Sequence, residues 1–502
     1  MKLGPFGRQK QESGFRTKRV RQRWQALLIL LLLSSPAMSA DAVMGVDDAP
    51  CPMGAIALEP GASIQAAVDS AGDGAVFCLK SGVHRMQAVR PRSHQSFYGE
   101  AGTVLNGSRL ITDFDREGRY WVAAGQWQRG PKHGECLPAS PACDLPEAVF
   151  IDDMPLEQVL SKDRLASKQF YFDYGSGKIY LVDDPADRKV EAAVAAFAFQ
   201  SQADDVLIRN MTVEKYASPA QNGAIHAIDG SRWTIQNCDV RWNSGAGVGI
   251  GAGGRVSYSN VHHNGELGIG GHGDDILIEQ NSVHSNNIYG FDYTWEGGGV
   301  KIALSDGVTF QGNHVYDNHG AGLWCDIDCR NVVYDGNLVE RNYDIGIFHE
   351  ISFEAVIRNN VVRDNGPGDR GWFWRTEIGI AASQDVEVYN NTLTIAADAC
   401  GIVLIDQGRP TKDGAKYKTR DNYVHDNDLT FAGAACAGGV SDVRPDNENF
   451  GIITDGNNRF DRNIYRIPRA SGPARFVWGH EMMDWDGYRQ KGLEQTGRLI
   501  RF

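Results

Sequence analysis

The chain has 502 residues, with 63 Asp and Glu against 50 Lys and Arg and a formal net charge of −13. Residues 1–40 carry eight of the basic residues and one acid, so the remainder stands at −20. That balance argues against nucleic acid as a partner, because phosphate binding rests on Lys and Arg, and disfavours a polyuronate unless a local basic groove overrides it.

In chain order, a basic leader containing Arg19, Arg21 and Arg23 precedes an apolar run from Ala26 to Leu33 and small residues at Ala37, Ser39 and Ala40. Residues 1–40 read as a signal peptide whose apolar run is too short to span a bilayer. The length of the basic stretch leaves an uncleaved anchor as the other reading. Export implies a secreted or periplasmic protein with no membrane span after signal removal. All nine cysteines follow the leader, where an oxidising compartment favours disulfides. Cys136 with Cys143 and Cys400 with Cys436 are the first expected pairs, and the spacing does not resemble a structural zinc site.

Residues 41–109 read as an N-terminal cap and first turns. The stretch SIQAAVDSA from Ser63 predicts a short Ser-capped helix, and strand-like segments follow. Residues 110–200 break the later period and read as an inserted β-rich excursion. Residues 201–431 carry the repeats, and the Trp-, Phe- and Arg-rich segment 432–502 reads as a C-terminal cap.

The repeats recur as NSVHSN at 281, NHVYDN at 313, NLVERN at 337 and NVVRDN at 360. The aliphatic markers Val213, Val240, Val261, Val283, Val315, Val339, Val362, Leu393 and Leu429 are 21–24 residues apart in four of eight gaps, with longer gaps of 27, 32, 31 and 36. Such spacing fits one turn of a β-solenoid with loops inserted at chosen turns. Two residues before the markers stand Asn281, Asn313, Asn337, Asn360, Asn391 and Asn427, a pattern that predicts a stacked amide ladder. Cys238 takes the same slot and reads as a buried, inert thiol. A second strand follows a Gly in each turn: GVGIG at 247, GIGGH at 268, GVKIA at 299, GLWCD at 322, GIFHE at 346, GIAAS at 379 and GIVLI at 401. The residue after each Gly forms an aliphatic column facing inward, and alternation sends its neighbours outward. The fold class this implies is all-β: a right-handed parallel β-helix with an N-terminal cap and an inserted β-rich subdomain.

Outward slots of consecutive turns hold Asp326 and Glu350, 24 residues apart. Neighbouring parallel strands would bring their carboxyls to ~5–6 Å, close to the ~5–5.5 Å of retaining glycosidases, and repulsion would leave one ionised and one protonated. Lys301 precedes them by one turn, where it could bond a sugar hydroxyl or bias a carboxylate pKa, and Trp324 shares the strand of Asp326; both read as substrate-binding residues. The long gaps on either side carry Trp295 in one loop and Trp372, Trp374 and Arg375 in the other, side chains that could bind sugar rings and hydroxyls. Glu296 and Glu377 are further acids on those loops. Each has a plainer reading: outward acids are usually solvated, and loop aromatics pack on one another. His349 and Cys325 fall in the inward column, where packing is the expectation.

GLWCD at 322 and GIFHEIS at 346, with GNHVYDNHG and IRNNVV around them, resemble secreted β-helix proteins of the pectate-lyase-like superfamily. Within it they are similar to the β-helix β-xylosidase family of glycoside hydrolases. The resemblance implies Asp326 as nucleophile and Glu350 as acid/base. The sequence departs from the family after the acids, at Ile327–Asp328 and Ile351–Ser352, which places the sugar in question.

Three readings stay open. The first is a retaining glycoside hydrolase acting on an oligo- or polysaccharide, with no cofactor and no metal; it needs both acids facing solvent in a groove and closer than ~10 Å. The second is a polysaccharide lyase or uronate epimerase, with Lys301 or Arg375 as base and calcium as the cation it could use. The third is a non-catalytic carbohydrate-binding surface protein.

Overall fold

A computed structural model describes residues 51–502, so the leader read at 1–40 lies outside the described residues. Three long sheets of 13, 12 and 13 strands run side by side, and successive coils add one short strand to each. Pairing within them is parallel, apart from Glu481–Met483, which closes one sheet in antiparallel fashion. The aliphatic markers stack in register, as in Val283↔Val315↔Val339↔Val362, and all four are fully buried. Each such side chain stabilises the coil by about 1.5–3 kcal/mol.

The Asn column forms the expected ladder. From Asn281 through Asn313, Asn337, Asn360, Asn391 and Asn427, each Nδ2 donates to the next Oδ1 at 2.9–3.1 Å. The turn before each is tight because Gln280, Gly312, Gly336, Asn359, Asn390 and Asp426 adopt φ of 53–68°, a conformation that Gly, Asn and Asp tolerate best. A second ladder runs from Asn243 to Asn365 and ends on Glu377, which accepts from Asn365 at 2.7 Å. Glu377 is thereby a ladder cap. Cys238 is buried and unpaired, and burial pushes its thiol up to about 12.

One register differs from the sequence expectation. Ile347 pairs with Ile378, and Ile378 with Ile402, so Ile380 sits one inward position further along. A slip of two residues keeps every side chain on its face, which is why the alternation alone could not detect it.

Cys136–Cys143 and Cys400–Cys436 form disulfides, joined by Cys51–Cys78 and Cys325–Cys329. The helix Ile64–Ser70 opens on Ser63, whose hydroxyl accepts from the Ala66 N–H at 3.2 Å. Between Ser108 and Ala193 the chain builds two further sheets of four and five strands around a core of Ile111, Val149, Ile151, Phe170, Ile179 and Val190. Among the described residues no helix is long and apolar enough to cross a membrane.

Candidate functional site

Asp326 ends the strand Ala321–Asp326, and Glu350 ends Ile347–Glu350. The strands pair in parallel with Asp326 opposite Glu350 and Trp324 opposite Phe348, which sets the two acids one strand spacing apart, ~4.8 Å. Alternation sends Cys325 and His349 inward, where both are fully buried. Burial pushes the His349 imidazole down to about 4, and its Nε2 donates to the Phe353 carbonyl at 2.7 Å.

Each acid has its own cation. Lys301, opposite Trp324 on the preceding coil, places Nζ 3.0 Å from Asp326 Oδ2 and 3.7 Å from the centre of the Trp324 ring. It also donates to the Trp295 carbonyl. Arg409 donates to Glu350 Oε1 at 3.0 Å. Asp326 Oδ1 is buried and meets no donor among the described residues. Burial, and then the charge of Asp326, push the Glu350 carboxyl up to about 7, against the pull of Arg409, Lys301 and Arg370.

The open groove expected around this pair does not form. Asp326 is 6% exposed and Glu350 8%. The two long insertions touch each other: Tyr293 packs edge-on against Tyr343 at 5.1 Å, and its hydroxyl donates to Asp369 of the next long insertion. Arg409 reaches Glu350 from a third segment, and Tyr417 of that segment donates to Asp328 at 2.7 Å.

The aromatic candidates divide. Trp324 is 2% exposed and stacks on Phe348 at 5.2 Å within an apolar cluster that includes Ile345 and Phe373. That corrects the expectation of a free sugar-facing ring: its indole packs and supports the Lys301 cation. Trp374 packs edge-on to Phe348 at 6.2 Å, with Arg370 5.2 Å over its ring. Trp295 is half-buried beside His133, 6.4 Å between ring centres. Trp372 is exposed, with Arg475 5.6 Å over it. Arg375 donates to the Gly366 carbonyl at 3.0 Å, a contact within its own loop. The structure therefore gathers Lys301, Trp324, Asp326 and Glu350, with Trp374 behind them.

Sequence reasoning missed Arg409, the Arg370–Asp344 ion pair at 3.1 Å and Glu266. The 36-residue gap between Leu393 and Leu429 was the signal for an inserted loop that carries Arg409. Burial raises the Asp344 carboxyl to about 6, opposed by Arg370. Glu266 faces Glu296 beside Gln221, whose backbone N–H donates to Glu266 at 2.5 Å and whose side-chain amide donates to Glu296. Burial holds both carboxyls above the usual range, with Lys301 opposing in each case. Lys301 thus stands within electrostatic reach of two acid pairs.

The profile described as right handed beta helix region matches residues 222–393. No curated protein matches the sequence. A solved structure of XylC with xylose aligns with a TM-score of 0.63 at 14% identity, over 88% of this chain and 82% of that one. The A-module of mannuronan C-5 epimerase AlgE6 from Azotobacter vinelandii aligns with a TM-score of 0.47 at 15% identity, over 88% of this chain and 94% of that one. With the stacked sheets, the profile and the XylC alignment establish the architecture as a right-handed parallel β-helix.

Proposed function

We propose that the protein is a carbohydrate-active enzyme of the retaining glycoside hydrolase class, working outside the cytoplasm on an oligo- or polysaccharide. The observation that carries this reading is an in-register pair of acids, each with a cation of its own. Asp326 is held beside the Lys301 ammonium and keeps a free oxygen, while Glu350 is held near neutrality and can carry a proton. In the first half-reaction Asp326 attacks the anomeric carbon and Glu350 protonates the departing oxygen. In the second, Glu350 takes a proton from water as that water's oxygen breaks the glycosyl–Asp326 ester, which releases the sugar and restores both acids.

Both acids are buried, which fails the solvent-facing condition set out for this reading, so it requires the segment carrying Arg409 and Tyr417 to move aside for substrate to enter. The same burial favours a second reading, in which Lys301, Asp326, Glu350 and Arg409 form a structural ion cluster on a carbohydrate-binding surface. A lyase or epimerase has weaker support, because Lys301 is committed to Asp326 and Trp295, and Arg375 to Gly366.

A screen of aryl glycosides, xylosides included, with wild type and Glu350→Gln separates these. Hydrolysis by wild type, lost in the variant and restored by azide with a good leaving group, supports the covalent mechanism. Unsaturated product absorbing in the ultraviolet on pectin or alginate would support the lyase. Glycan binding without turnover, unchanged in Asp326→Asn, would leave the structural cluster.

A further inference from the structure

On a different sheet from the acid pair, two histidines stack in register. His262 ends the strand Asn260–His262 and His284 ends Ser282–His284; the two residues are paired partners, with rings 4.8 Å apart and nearly parallel. His263 follows His262 directly and should point to the opposite face of a regular strand. It adopts φ of 53° instead, which swings its ring round to stand 82° to that of His262 and 85° to that of His284. One ring nitrogen of each histidine then lies within 4.8 Å of the other two.

The partners of these rings fix which nitrogens are free. His262 Nε2 lies 2.9 Å from Asp239 Oδ1; a carboxylate only accepts, so Nε2 carries the proton and Nδ1 keeps its lone pair. Asn260 donates its Nδ2 to Asp239 Oδ1 at 3.3 Å, which turns its Oδ1 to His284 Nε2 at 3.2 Å. His284 is thereby also protonated on Nε2, and its Nδ1 accepts from the Ser285 hydroxyl at 3.2 Å, a contact that a metal ion would replace. His263 Nδ1 is 2.7 Å from His262 Nδ1.

We propose that His262, His263 and His284 form a binding site for a divalent transition-metal ion of the zinc class, with Asp239 and Asn260 holding two imidazoles in the ligating tautomer. A stack of rings on a solenoid face needs only ring-to-ring contact. Here the ring edges converge as well, and two of the three are backed by acceptors of the kind that orient metal-bound histidine. Tetrahedral zinc with Zn–N of ~2.0–2.1 Å asks the nitrogens to close in modestly, which side-chain rotation supplies, and the proton on His263 moves to Nε2. Three neutral nitrogens select zinc, copper or nickel over calcium or magnesium. His263 also lines a cleft of about 560 Å³ with Trp242, Tyr289 and residues of the inserted sheets, which gives an ion a path in.

The test is calorimetric titration of tag-free, metal-stripped full chain with Zn²⁺, paired with Co²⁺ absorbance in the visible as a direct reporter of nitrogen coordination. The expected result is one equivalent bound with micromolar or tighter affinity and a Co²⁺ spectrum of low coordination number. His263→Asn and His284→Gln should each abolish both signals while circular dichroism stays unchanged. Asp239→Asn should keep the stoichiometry and weaken affinity about 10–100-fold. Absence of binding in wild type, or binding undiminished in a folded His263→Asn variant, overturns the proposal. Should His284→Gln fail to fold, the His263 and Asp239 variants decide alone.

Discussion

Two of the buried charge clusters among the described residues are built differently. Lys215, 1% exposed, is hydrogen-bonded to Glu191, which is fully buried, and to Asp153. Arg85 adds a second cation to Glu191 at 2.7 Å. Burial pushes the Glu191 carboxyl up, yet bonds from Lys215 and Arg85 outweigh it and hold that carboxyl below its usual range. Every charge there has an opposite charge at bonding distance, and the cluster ties the inserted sheets to the coil. Asp326 and Glu350 also have cations, but they stand beside each other, one oxygen lacks any partner, and Glu350 is driven towards its protonated form. A satisfied cluster holds residues in place; one with like charges forced together keeps a proton available.

The largest effect that separates them is on rate. Asp326→Asn removes the nucleophile and should lower turnover of a cleavable aryl glycoside by at least ~10⁴-fold, measured on folded protein. Full activity in that variant would return the pair to a structural role. The next effect is on stability. Glu191→Gln leaves the buried Lys215 with the half-exposed Asp153 as its bonded carboxylate and takes the charge opposite Arg85, and should cost about 3 kcal/mol in urea denaturation. Asp153→Asn, whose own side chain is 58% exposed, should cost about 0–1 kcal/mol.

The third contrast is in sign. Glu350 has an ordinary value of 4.5 and sits near 7 in the fold, so the native state binds the extra proton between those values. Stability then falls as pH rises through that window, and the full penalty is present above 7. Glu350→Gln mimics the protonated form, so it should be as stable as wild type at pH 4 and more stable at pH 8, by about 3 kcal/mol. Thermal melts at the two pH values check this. Glu191→Gln should be destabilising at both.

The sequence made some of this legible and hid the rest for physical reasons. A solenoid places equivalent residues over one another, so the period alone predicted the Asn ladder, the inward His349 and the pairing of Asp326 with Glu350. Parity could not separate Ile378 from Ile380, because both face inward and either could continue the column. The Cys325–Cys329 bridge was hidden as well, since the column explains Cys325 without a partner. Least legible was the covering of the acids. Tyr293 reaches Asp369 across 76 residues and Arg409 reaches Glu350 across 59, contacts made by loops that follow no period. Both acids are buried where an open groove was expected, and Trp324 packs on Phe348 instead of facing solvent.

The smallest effect tests that cover directly. Arg409 is the cation nearest Glu350, and its charge lowers the Glu350 carboxyl against burial and Asp326. Glu350 must be protonated to act as general acid, so kcat/KM should fall as pH rises past about 7. Arg409→Ala removes the opposing charge, so Glu350 holds its proton to higher pH and the basic limb should move up by about 1 unit. The same change also lifts part of the roof, which should lower KM if entry to the pocket is limiting. Burial is the larger influence on Glu350, so Arg409→Met, which drops the charge and keeps most of the cover, is the deciding variant: a basic limb that stays in place there would mean that Glu350 does not supply the proton. The limb is therefore the readout that assigns the acid.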